Sequence, residues 1–205
     1  LISLDTVKAL TLNKELEAKD VKLRSKENVT TNAVISATND ILMLGELDAV
    51  VNEVVHADHD VNIKANNNIT SSEKGLITAG NDVNLTAINE NIELAGKVSA
   101  GNDASLTSGQ AMQVNEVKAT NGSATLNAGT SLTNAGVISA GKDASLTATT
   151  TIVTNGQVQA GNDAKLNAGT ELTINAAVNA KNDAILTAGT DLFANSDVKA
   201  KNAKL

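Results

Sequence analysis

Residues 140–146 read AGKDASL, residues 160–166 read AGNDAKL and residues 180–186 read AKNDAIL. The same phrase occurs upstream as AGNDASL at 100–106 and AGNDVNL at 79–85. Weaker copies are AKDVKL from Ala18, ATNDILM from Ala37 and ADHDVNI from Ala57, and TNGSATL fills the interval that ends at Leu126. The apolar residue three places after the Asp position falls at Leu23, Met43, Ile63, Leu85, Leu106, Leu126, Leu146, Leu166 and Leu186, in steps of 20, 20, 22, 21, 20, 20, 20 and 20. A fixed period of this length marks an array of stacked units.

Two further apolar registers keep step with the first. One runs through Ile35, Val55, Ile77, Val98, Val117, Ile138, Val158, Val178 and Val198. The other runs through Ile69, Ile92, Met112, Leu132, Ile152, Leu172 and Leu192. Around each register the pattern alternates, as in Ala144-Ser145-Leu146-Thr147-Ala148, which puts Ala, Leu and Ala on one face and Ser and Thr on the other. That is the period of a strand, and the Val, Ile and Thr content agrees with it. Gly161-Asn162-Asp163 marks a corner, where Gly is expected to supply positive φ and Asp to cap its own turn. Three short strands and three corners consume about twenty residues, one coil of a parallel β-helix. The expected fold is therefore all-β: a right-handed parallel β-helix (β-solenoid) of about ten coils, each rising about 4.8 Å.

Composition fits a narrow repetitive interior. Apolar residues make up 41% of the chain, yet Phe193 is the only aromatic residue. A large three-dimensional core draws much of its volume from aromatics, whereas stacked coils need small and branched aliphatics of matched size. There is no Pro, consistent with strands hydrogen-bonded on both sides. Net charge is −7, and no basic cluster lies beside stacking aromatics, so a nucleic-acid partner is not expected. The chain has no cysteine, which excludes disulfides and a thiolate nucleophile. It opens on Leu1 rather than Met, and the expectation is a segment of a longer chain.

Two stretches depart from the pattern. Residues 1–17 are expected to form an irregular first coil or cap ahead of the array at 18–205, with Lys14 to Lys19 able to form a short helix. Leu42 and Leu44 fall where other coils have polar residues, which suggests an insertion or shifted register there rather than an apolar docking patch.

Candidate chemistry is sparse. His56 to Asp60 is the one place where two His and two carboxylates gather, but His56 maps to an outward strand position and His59 to the corner Asn. They need not converge, so no metal site is expected. Asp20, Asp40, Asp60, Asp82, Asp103, Asp143, Asp163 and Asp183 recur once per coil. An active site needs unlike groups at one place, whereas a residue repeated in every coil performs a structural task in every coil. The calcium-binding nonapeptide, GxGxxG and GxxxxGK[ST] are absent. Outward Thr107, Thr147 and Thr187 give way to Asn127, Asn167 and Arg24, so no uniform Thr array forms. No catalytic residue, cofactor or enzymatic activity is expected.

The repeat AGNDAKLNAGTELTINA, followed by Val-x-Ala, resembles the haemagglutinin repeats of the filamentous haemagglutinin family, the large exoproteins of two-partner secretion and contact-dependent growth inhibition. The resemblance covers about residues 18–205. It implies a secreted shaft or adhesive segment at a bacterial outer-membrane-associated cell surface, exported through an outer-membrane two-partner secretion transporter. Through other regions of such a protein it implies a host or bacterial cell-surface receptor. The alternatives are a subunit of a self-assembling extracellular filament or sheath, associating end to end or laterally, and a polysaccharide-active β-helix enzyme. The near-constant period leaves that enzyme little room for the loops that would build a groove.

Overall fold

The computed structural model describes residues 1–205 as a β-solenoid without a helix, in which every strand pairing is parallel. Each coil contributes one strand to each of three faces. The wide face collects eleven strands, from Ile2–Thr6 through Ala144–Ala148 to Asn202–Lys204, most of them five residues long. The second face carries strands such as Leu132–Asn134, and the third carries strands such as Ile138–Ala140. These two faces join into one sheet because Ile92–Ala100 and Met112–Ala119 run unbroken around the corner between them.

The three apolar registers are the interior. Leu126, Leu146 and Leu166 pair directly on the wide face, Leu132, Ile152 and Leu172 on the second, and Ile138, Val158 and Val178 on the third. All nine are fully buried, within one continuous core cluster of 50 residues. Like side chains stack on like because parallel in-register pairing repeats each residue's environment one coil later. Leu16, Leu192 and Val198, near the two ends of the stack, pack against that core while only partly buried.

The corner glycines work differently from the expectation. No residue in the chain has positive φ, glycine or otherwise. At Gly101 and Gly161 a Cβ would instead run into the carbonyl oxygen of the glycine one coil earlier, Gly80 and Gly141. Close approach of successive corners, not turn handedness, selects Gly there.

The first coil is regular. Ile2–Thr6, Leu10–Leu12 and Leu16–Ala18 pair in register with Val21–Ser25, Val29–Thr31 and Ile35–Ala37. The Lys14–Lys19 stretch contains a strand rather than a capping helix, because Leu16 and Ala18 both take inward positions with Glu17 between them facing out. The register at Leu42 and Leu44 is also unshifted. Leu42 pairs with Lys22 and Asn62, Leu44 pairs with Arg24 and Lys64, and both leucines point outward, half-buried. Ile41, Met43 and Gly45 already fill the inward positions of that strand, which leaves its other two residues no face but the outer one. An enlarged turn lies at Ser72–Gly75, where the Gly75 N–H donates to the Ser72 carbonyl at 3.0 Å, and the turn at 88–91 is one residue longer than its counterparts in neighbouring coils.

Candidate functional site

The corner ahead of the wide face carries a polar ladder that runs along the stack. Asp143 Oδ1 accepts the Asp163 backbone N–H at 3.1 Å and the Asn162 side-chain N–H at 2.7 Å, both from the next coil. Asp82 accepts the same pair from Asp103 and Asn102, at 3.0 and 3.1 Å, and Asp60 from Asp82 and Asn81, at 3.1 and 2.9 Å. Where Ser123 replaces Asp, the rung weakens: the Asp143 N–H reaches Ser123 Oγ only at 3.4 Å. The recurring Asp therefore joins coil to coil instead of capping its own turn. At the start of the row, the Asn39 side chain donates to Asp20 at 2.7 Å and holds its carboxyl below the usual carboxylate range.

The two other corners carry shorter ladders. Asn32 donates to Asn13 and Asn52 to Asn32 at the corner between the second and third faces, at 2.9 and 2.8 Å. Asn68 accepts from Asn91, and Asn91 from Ala111, at the corner after the wide face, before hydroxyls of Thr150, Thr170 and Thr190 take over on carbonyls one coil back.

One rung of the Asp ladder carries an imidazole. His59 occupies the Asn place, and its Nδ1 lies 2.8 Å from Asp40 Oδ1 of the preceding coil and 3.3 Å from Asp60 Oδ2. The hydrogen bond to Asp40, reinforced by the charge of Asp60, raises the His59 pKa above the ordinary imidazole value. His56 lies elsewhere. It points outward from the third face, with Nδ1 2.8 Å from Thr78 Oγ1 and Nε2 3.1 Å from Asp58 Oδ1. The two histidines do not converge, as their alignment with the repeat indicated. What the sequence reading missed is Asp40, which one full period brings beside His59 and Asp60.

A shallow groove lies where the second and third faces merge, lined by Glu73, Leu94, Lys97, Gln113 and Asn115 among others. Lys97 is paired to Glu116 at 2.9 Å.

By fold, the chain is a parallel β-solenoid of about ten coils. No family model, curated protein or solved structure matches it.

Proposed function

We propose that the chain is a structural shaft or adhesive segment of a large secreted bacterial surface protein, of the haemagglutinin-repeat kind that its sequence resembles. The observation that carries this reading is the unbroken stack. The 29 short strands go into length, joined by turns of a few residues, with no long loop projecting from any face. Such a structure converts residues into reach at about 4.8 Å per coil, and its outward strand positions are largely Ser, Thr, Asn and Lys. The work of such a segment is spacing and presentation, and its export route and surface location come from the resemblance alone.

The test is an epitope inserted at Lys74, in the enlarged turn, in the full parent protein, followed by imaging of cells with a gold-labelled antibody. Label at a fixed distance along a thin fibre supports the shaft. Label inside a lattice or a compact body overturns it, and concentration-dependent end-to-end growth of the isolated chain in light scattering would favour the filament-subunit alternative. Cleavage of a polysaccharide by the purified protein would replace both with an enzyme.

A further inference from the structure

We propose that Asp40, His59 and Asp60 form a binding site for a divalent cation of the zinc class, bridging two successive coils. One ligand atom from each lies within 4.8 Å of the others. The two edges that meet at His59 Nδ1 measure 2.8 and 3.3 Å. A small divalent ion held at about 2.0–2.2 Å by nitrogen and oxygen separates neighbouring ligands by roughly 3.0–3.5 Å, close to those edges.

The rest of the ladder explains why the site occurs once. Asn81 and Asn102 hold the equivalent place and reach the preceding Asp at 2.9 and 3.1 Å. An amide nitrogen has no lone pair to give a metal, so those rungs are hydrogen bonds only. His59 puts an imidazole nitrogen at the same point between two carboxylates, and the rung becomes a chelate of one nitrogen and two oxygens. Imidazole in the set favours zinc, nickel or cobalt over calcium.

Charge points the same way. Carboxylates of Asp20, Asp40, Asp60 and Asp82 follow one another along this corner, and no Lys or Arg forms an ion pair with any of them; the lysine pairs of the chain are Lys97–Glu116 and Lys199–Asp197. The His59 and Asp40 side chains are 55% and 45% exposed, so an ion can enter directly and water can complete its coordination. Because Asp40 comes from one coil and His59 and Asp60 from the next, a bound ion stabilises the stack by mass action.

The experiment is calorimetric titration of the tag-free, chelator-treated chain with Zn2+, with Co2+ absorption as a second probe and thermal unfolding as a third. His59→Asn is the discriminating variant, since it installs the residue that other coils already use and keeps the ladder. His56→Gln is the control. The expected result is one ion per chain, a raised unfolding temperature, at least about tenfold weaker binding in His59→Asn, and unchanged binding in His56→Gln. Absence of stoichiometric binding overturns the site, as does His59→Asn binding as tightly as the parent. Equal loss in His56→Gln would also overturn it, because the ligand set would then be a different one.

Discussion

The carboxylate of Asp143 accepts the backbone N–H of Asp163, 3.1 Å away and one full coil later. With the Asn162 side chain on the same oxygen, this single residue ties two coils at one corner. Hydrogen bonds to a charged acceptor contribute about 1.5–3 kcal/mol each when partly buried. Asp143→Ala is therefore expected to cost about 1 to 3 kcal/mol, measured by urea unfolding. Asp143→Asn, which retains an acceptor, should cost less than half as much. Equal losses in the two variants would show that the carboxylate's acceptor role does not matter.

Leu146 and Ser145 are neighbours on opposite sides of one strand. Leu146 is fully buried between Leu126 and Leu166, while Ser145 faces outward. Leu146→Ala should cost about 2 to 5 kcal/mol, and Leu146→Asp should disrupt the stack. Ser145→Asp should change stability by less than about 0.5 kcal/mol. Circular dichroism and urea unfolding read both, and similar behaviour at the two positions would contradict the inward and outward assignment.

Thr154 presents the opposite case, a buried residue that weakens the core. It pairs with Asn134 below and Ile174 above, and its hydroxyl is buried without a hydrogen-bond partner. Asn134 is also buried, but its side-chain amide reaches the Gly136 and Gly156 carbonyls at 2.8 and 3.3 Å. A buried unsatisfied hydroxyl costs about 1–3 kcal/mol. Thr154→Val keeps the shape and removes the hydroxyl, so it should raise stability by about 1 kcal/mol; a loss of stability would mean the hydroxyl has a partner.

His59 gives the metal-free protein a pH dependence with a definite sign. Its folded pKa lies above the ordinary value because Asp40 accepts its proton in a hydrogen bond and Asp60 adds negative charge. The stabilisation is complete below the unfolded histidine pKa and is lost as pH rises through the higher folded value. Asp20, lowered by Asn39, behaves in reverse: its contribution is present above the ordinary carboxylate pKa and is lost as pH falls through the folded value. Proton NMR of the His59 ring in the presence of chelator should show a titration midpoint above that of histidine in the urea-unfolded chain. A midpoint at or below it would contradict the Asp40 hydrogen bond.

The inward residues were legible because a solenoid repeats a one-dimensional code. Leu146, Ile152 and Val158 each recur at a fixed interval, and alternation around them assigns the faces without any long-range knowledge. The contents of a corner were less legible. Asp143 looks the same in sequence whether it bonds two residues ahead or twenty, and only the measured approach of one corner to the next decides it. For the same reason Gly161 suggests positive φ when read alone and a steric constraint when read against Gly141. Leu42 and Leu44 misled because outward leucines break the polar pattern, although the inward Ile41 and Met43 on either side of Leu42 already fixed the register. The His59 cluster lay half in view: Asp60 is adjacent in sequence, while Asp40 becomes a neighbour only once the period is applied to side chains that face out.

One period of sequence is one interchangeable coil whose product is length. Deleting Gly141–Ala160 joins Ala140 to Gly161 in the same register and removes one strand from each face. Circular dichroism, urea unfolding and small-angle scattering of this variant, beside one lacking only residues 141–150, compare the loss of a whole coil with the loss of half a coil. The expected result is a folded rod shorter by about 4.8 Å for the full-period deletion and loss of the stack for the half-period one. If the two deletions are equally damaging, or if the full-period variant shortens by no such step, the coil is not the unit of this structure.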